Sequence, residues 1–367
     1  MRFYLGIFAF LCFLLILLPG LLVLMLKMVE RGELPPAKEF PIAVHRHDLE
    51  GIVELDMEEY LKGVVAAEMP ALFEKEALKA QAVVARTYTV KRLKVMGGSG
   101  SARHPGADIC TDPSHDQAWL SQEALRLRWG LEGYTTNWSR IDRAVEETRG
   151  LILTYEGSPI DAVYHSTSGG RTENSEDVWK FAFPYLKGVV SPWEAHSPYY
   201  VNRREISLNE LAAAVARAGI SKVKSIPDLA AGVSVVESTV SGRAKLIRVG
   251  PQVLKGEEFR RLLGLNSSWF SWKTDGQVIT VTTRGKGHGV GLSQYGADGM
   301  ARKGYQYAEI LSHYYQGTKL QGMPPPPGAP VAFNQAATIS QNSPPAKRPS
   351  TTINHPEQNR EDPAGKP

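Results

Sequence analysis

Residues 56–96 read DMEEYLKGVVAAEMP, then ALFEK, then EALKAQAVVARTYTVKRLKVM. The spacing predicts two helices separated by Pro70, which cannot continue the first. Asp56 can cap the first helix, with Glu59 three residues on completing a box-like start. Met57, Leu61 and Val64 recur at helical spacing and define an apolar stripe. Glu68 falls on that stripe, four residues after Val64, so a carboxyl stands where a leucine is expected. Apolar neighbours destabilise the ionised form, and a carboxyl in such a place can hold a proton near neutral pH, as a general acid must. The alternative is a frayed helix end with Glu68 in solvent. The second helix is rich in small residues (Ala77, Ala80, Ala82, Ala85) that permit close packing, yet it carries Arg86 and Tyr88, polar groups that need partners.

Working outward, the chain has 367 residues, 43% of them hydrophobic, a globular composition long enough for a sizeable core. Its net charge of +4 is spread along the chain, which suits an anionic polymer such as the cell wall and gives no basic block of the kind nucleic acid requires. No charged residue occurs from Phe3 to Leu26. That run is long enough for a membrane helix, and KMVERGELPPA after it offers no small-x-small cleavage site, which favours a retained anchor over a signal peptide. Residues 1–28 are thus expected to be a transmembrane anchor and 29–42 a linker stiffened by Pro35 and Pro36. A tail opening with PPPPGAP, residues 323–367, is too poor in large apolar residues to fold alone.

Within the remaining stretch, 43–322, PIAVHRHDLEGIVELD reads as a hairpin around Gly51 with its two histidines facing solvent. ADICTDPSHDQAW brings Cys110 and His115 close together, with His104, Asp112 and Asp116 nearby. Thiolate and imidazole are good zinc ligands, although a structural site usually wants four. Cys110 and His115 are the candidate ligands, with Asp116 or water completing the shell. LILTYEGSPIDAVYHSTSGG reads as two strands around a turn. Its end, HSTSGG, places His165, Ser166, Thr167 and Ser168 before a glycine pair, a dense hydroxyl loop that suits a glycan, or else a polar turn. Glu173, Glu176 and Asp177 follow as candidate second carboxylates. In QVITVTTRGKGHGVGLSQYGADGMARKG a strand runs into a glycine-rich loop and then a helix, without the spacing of a nucleotide site. G-x-S-x-G does not occur, which disfavours a serine hydrolase.

GVVAAEMP followed by EALKAQAVVARTY resembles the opening of the stage II sporulation protein D family, which also includes LytB-type amidase enhancers. HSTSGG and GHGVGLSQYGA resemble its other two signatures, the latter with Leu292 in place of the usual Met. The resemblance spans roughly residues 56–317. It implies that Glu68 is the single catalytic acid of a lytic transglycosylase cutting peptidoglycan glycan strands in sporulation engulfment, with the large domain outside the cytoplasm. It further implies that Arg86 and Tyr88 position Glu68, while His165, Ser166, Thr167, Ser168, His288, Gln294 and Tyr295 hold the glycan. Some members bind zinc through a Cys and a His-Cys-Gln run; this chain keeps Cys110, His115 and Gln117, with Asp116 at the second Cys. An amidase and another membrane protein of the engulfment machinery are the partners the resemblance implies. The alternative is a non-catalytic glycan binder that enhances an amidase. The expected fold is α+β, an antiparallel sheet with packed helices in a single catalytic domain.

Overall fold

The computed structural model describes residues 40–217, 233–250, 252–275 and 278–325. The expected anchor at Phe3–Leu26, the linker before Phe40 and the tail beyond 325 lie outside the described residues. Among the described residues no helix is long and apolar enough to cross a membrane.

Strands β1 (Pro41–Arg46) and β2 (Gly51–Asp56) form an antiparallel hairpin in register from Pro41 opposite Asp56 to Arg46 opposite Gly51. Helix α1 (Met57–Glu68) leaves β2 directly. The Asp56 carboxylate caps it, Oδ1 accepting from the Glu58 N–H at 2.9 Å and the Glu59 N–H at 3.3 Å, while Oδ2 accepts from the Phe40 N–H. The Glu59 carboxylate turns away to Lys62, which also pairs with Asp142 and Glu146. Helix α2 (Lys75–Arg92) follows after Pro70. Its alanines 77, 80, 82 and 85 are fully buried, and with no side chain to fend off neighbours the helix packs against elements on several sides.

Next come β3 (Ile109–Cys110), the long α3 (Gln122–Glu146), kinked at Gly130, then β4 (Leu151–Tyr155), β5 (Ser158–Pro159), β6 (Tyr164–His165) and α4 (Ser175–Val178). A second group contains β7 (Val201–Ser207), α5 (Leu208–Arg217), β8 (Val233–Ser238), β9 (Ala244–Val249), β10 (Gln252–Lys255), α6 (Gly256–Leu262), β11 (Phe270–Thr274) and β12 (Val278–Arg284). The chain then returns through β13 (Leu292–Ser293), α7 (Gln294–Arg302), α8 (Tyr307–Tyr314) and β14 (Lys319–Gly322).

The mixed α+β class is as expected, but the strands do not make one sheet. Among the described residues they form five small ones, ordered β2-β1-β3, β10-β9-β8, β11-β12-β7, β13-β6 and β14-β4-β5. Most pairings are antiparallel; β1 with β3 and β6 with β13 are parallel. The two-residue strands β3, β5, β6 and β13 are too short to build a broad sheet. They fasten loops instead, and that is how the site is assembled. The larger core gathers α1, α2, the C-terminal part of α3, β4, α7 and α8. A smaller core around Ile206, Ile247, Phe259, Ile279 and Val281 belongs to the second group.

Arg86 is fully buried, and its fork meets both oxygens of Glu58 (2.8 and 2.7 Å) while donating to the carbonyls of Leu151 and Val145. This bidentate pair ties α1 to α2 and to the start of β4. Removing one member leaves the other charge buried and unpaired, so Arg86→Ala is expected to cost about 3–5 kcal/mol of unfolding free energy in denaturant titration. A loss under about 1 kcal/mol, the scale of an exposed pair, would contradict this role.

Candidate active site

The stripe of α1 carries Met57, Leu61 and Val64, all buried, and ends at Glu68, after which Met69 turns extended. Glu68 is therefore held by the core at the point where the helix stops. Its Oε1 accepts the Ala118 N–H at 2.8 Å. That amide arrives because Gly63, one turn and a half earlier, has no side chain: a Cβ there would lie 2.2 Å from the Trp119 indole nitrogen. Tyr164 and Gln294 lie near enough to the carboxyl to favour its anion, while the Tyr164 hydroxyl donates to Gln117 Oε1 and the Gln294 amide to Gln81 Oε1, each at 3.4 Å. Burial raises the Glu68 pKa above the ordinary carboxyl value, and the bond from Ala118, with the nearby Tyr164 and Gln294 side chains, opposes part of that rise by favouring the anion.

Tyr164 and Gln294 come from the two glycine-containing motifs, joined by the parallel pairing of β6 with β13, Tyr164 opposite Leu292 and His165 opposite Ser293. Ser293 caps α7 through the Gly296 N–H, which sets Gln294 at the first helical position. Gly291, at φ 72°, permits the approach; a Cβ there would meet the Val163 carbonyl at 2.1 Å. Further along, Thr167 and Lys286 exchange backbone hydrogen bonds, and the Tyr295 N–H donates to the Ser166 carbonyl.

The expected site residues divide into two sets. Glu68 and Gln294 meet, with Tyr295 next to them in α7 and its ring edge-on to Phe73 at 4.9 Å. Arg86 does not reach Glu68, because the Glu58 carboxylate takes its fork. The Tyr88 hydroxyl donates to Asp116 at 3.2 Å and its ring lies under the Arg92 guanidinium. His165 points away from Glu68, since alternation along β6 sends it to the face opposite Tyr164. Its Nδ1 bonds the Val290 carbonyl, and burial holds the ring well below the usual imidazole pKa. His288 lies beside it with ring centroids 5.7 Å apart and is pushed down to about 4, chiefly by burial. Both imidazoles are neutral at physiological pH. The Ser168 hydroxyl and the Gly169 N–H donate to Glu194, and Thr167 bonds Ser197. These hydroxyls brace the loop; Ser166 is the half-exposed one.

The candidate second carboxylates are engaged elsewhere. Glu173 is buried, not solvated, and accepts from Thr239 and Ser241; Glu176 pairs with Lys187, and Asp177 accepts from Asn174. Tyr164 and the Ala118 amide are the partners of Glu68 that reading by local pattern misses. The alternation that buries His165 was the available signal for Tyr164.

Cys110, one of the two expected metal ligands, belongs to a group of side chains that could hold a metal ion. Among the described residues, the donor atoms of His45, His104 and Cys110 lie within 4.8 Å of one another. His45 is buried, not solvent-facing, because β1 pairs in parallel with β3 and sets His45 opposite Cys110, with Nδ1 and Sγ 3.7 Å apart. The His104 ring stacks on His45 at 3.6 Å. His115 turns its two nitrogens to Asp112 and Asp116, each at 3.5 Å. Two imidazoles and a thiol suit zinc with a fourth position open.

An embedded carboxyl at a helix end, flanked by hydroxyl-rich and glycine-rich loops, has the chemistry for acid–base work. The family model described as Stage II sporulation protein matches residues 45–155. The chain is 41% identical over 294 residues to the stage II sporulation protein D of Bacillus amyloliquefaciens, covering 79% of this chain and 82% of that protein. Against the protein of the same name from Bacillus subtilis it is 41% identical over 286 residues, 77% and 80% of the two chains. It is 29% identical over 307 residues to the amidase enhancer of Bacillus subtilis, of which it covers 40%. The chain belongs to the stage II sporulation protein D family.

Two expectations follow. Glu68 has a folded-state pKa above its unfolded one, so its favourable contribution is fully present below the unfolded value and is lost as pH rises through the folded value. Glu68→Gln removes that loss while keeping an acceptor for Ala118, and the melting temperature of the variant minus that of wild type should grow from about pH 4 to about pH 8. A difference that is flat or shrinks contradicts the burial argument. For the metal set, His45→Ala should weaken zinc binding by roughly tenfold or more in a competitive chelator titration, with His47→Ala near wild type. Equal effects of the two would remove His45 from the ligand set.

Proposed function

We propose that the protein is a membrane-anchored lytic transglycosylase that cleaves peptidoglycan glycan strands during sporulation, with Glu68 as its single acid and base. The observation that carries this reading is the environment of Glu68. Burial raises its pKa above the ordinary carboxyl value, yet the Ala118 amide is bonded to it and the Tyr164 and Gln294 side chains lie near enough to stabilise the negative charge once the proton is given up.

In the first step Glu68 donates its proton to the glycosidic oxygen as the bond from that oxygen to C1 breaks. The charge left on the carboxylate is met by the Ala118 amide already bonded to it, and the Tyr164 hydroxyl and Gln294 amide can turn from Gln117 and Gln81 to join it. In the second step the C6 hydroxyl of the same sugar attacks C1 and gives its proton to the Glu68 carboxylate. A 1,6-anhydro ring closes without water, and Glu68 returns to its starting state. One carboxyl suffices for this sequence, in keeping with Glu173, Glu176 and Asp177 being held by other partners. Ser166 and Tyr295, on the exposed side of the paired loops, are the groups best placed to hold sugar hydroxyls. Zinc held by His45, His104 and Cys110 would fasten the β1–β3 edge and stand away from these steps.

The likeness to an amidase enhancer supports a second reading, a glycan holder that activates an amidase. An amidase and a membrane protein of the sporulation septum are the partners proposed in either case. The test is mass spectrometry of peptide-free glycan strands incubated with the purified chain and with Glu68→Gln. Wild type is expected to yield anhydro-muramoyl ends and the variant to lose them by on the order of a thousandfold or more, the scale of removing a sole general acid and base. Binding by both proteins with cleavage by neither would establish the enhancer reading.

A further inference from the structure

The kink in α3 leaves a feature that the site does not use. Gly130 (φ 68°, ψ 175°) breaks the helix between Trp129 and Leu131, and a sharp corner projects from the domain. Leu127 is 89% exposed and Leu131 84%, the largest values among the exposed large hydrophobics. Arg126 and Arg128, both exposed, flank Leu127, with Glu123 and Glu132 also nearby. Behind the corner the half-buried Trp129, Tyr134 and Trp138 form a ladder, Tyr134 stacked on Trp138 at 5.8 Å and the Arg126 guanidinium over the Tyr134 ring at 4.8 Å. The corner is thus backed by rigid aromatic packing while its two leucines face water.

We propose that this corner seats on the surface of an anionic lipid bilayer, with Leu127 and Leu131 entering the headgroup boundary and Arg126 and Arg128 meeting lipid phosphates. Two leucines at the apex, arginines that can snorkel outward and aromatics half a turn behind are the composition of an interfacial anchor. A convex corner of five residues is too small to form a standard protein interface by itself, whereas a bilayer needs no complementary pocket. Thirteen residues separate the uncharged run ending at Leu26 from Phe40, a span of at most about 45 Å when extended. The inference rests on the membrane-anchor reading above. Its consequence is orientation, because beyond the bend α3 continues to Arg140, whose guanidinium donates to the carbonyls of Ala71 and Phe73 just after Glu68. Seating the corner would hold the Glu68 cleft at one attitude to the membrane.

The test uses the full chain carrying Cys12→Ser and Leu127→Cys, spin-labelled at 127, in vesicles with about 30% phosphatidylglycerol. A control carries the label at Val240→Cys, on the hairpin of the smaller core, where the native side chain is 80% exposed; the buried Cys110 is retained in both, and the Cys12→Ser parent gives the background. The expected result is that the 127 label collides preferentially with lipid-phase oxygen and the 240 label with an aqueous nickel complex. Arg126→Glu with Arg128→Glu should lower the lipid preference at 127 by on the order of tenfold. If the chain floats with the vesicles but the 127 label is as wet as the 240 label, the corner proposal fails alone. Strong dipolar coupling between 127 labels of two chains would replace the bilayer by a second copy. A chain that does not float at all overturns the anchor and the corner together.

Discussion

The protein depends on keeping one carboxyl partly out of water at the end of an apolar stripe. Desolvation pushes Glu68 toward its neutral form, and the backbone N–H of Ala118 with Tyr164 and Gln294 pulls the other way. Neither side is overwhelming, and that balance is what a group needs if it is to give up a proton and take one back. Much of the surrounding architecture can be read as the means of delivering those three donors. Gly63 lets Trp119 lie against α1 and so brings Ala118 to the carboxyl. The β6–β13 pairing brings Tyr164 and Gln294 from motifs well over a hundred residues apart.

The two loops are held from behind by a buried polar network that reaches into the smaller core. Arg243 donates to the carbonyls of Ser168 and Arg171, and its hairpin supplies Thr239 and Ser241 to Glu173. Glu194 gathers the Ser168 and Ser191 hydroxyls and the Gly169 amide. Apart from Ser191 with Glu194, these contacts join residues distant in sequence, and the second group of strands acts as a brace for the loops. A network of this kind is costly when incomplete, and it specifies one loop arrangement when satisfied.

Local pattern was enough for the longer helices, the Asp56 cap, the first hairpin and the position of Glu68 on its stripe, because each depends on spacing within a few residues, but not for the helices at Ser175–Val178 and Tyr307–Tyr314. It was not enough where a partner comes from far along the chain. Arg86 sits two residues from Tyr88 and about a turn and a half from Gln81, and nothing nearby in sequence reveals that Glu58 claims it. His45 looks like a surface residue until β3 is laid beside β1. The single expected sheet became five for the same reason: two-residue strands leave little periodicity to detect, although they decide which loops touch. His115 is the reverse case, close to Cys110 in sequence but turned toward Asp112 and Asp116 in space.

The central claim is that burial keeps the Glu68 carboxyl protonated beyond the range of an ordinary glutamate. It is tested most directly by following the carboxyl carbon of Glu68 by NMR as pH is raised, with Glu68→Gln used to assign the signal. The account predicts a midpoint above the ordinary value for glutamate, about 4.3, and a lower midpoint when unfolding exposes the group. A midpoint at or below the ordinary value in the folded protein would contradict it, and Glu68 would then be an anion at rest, unable to serve as the acid.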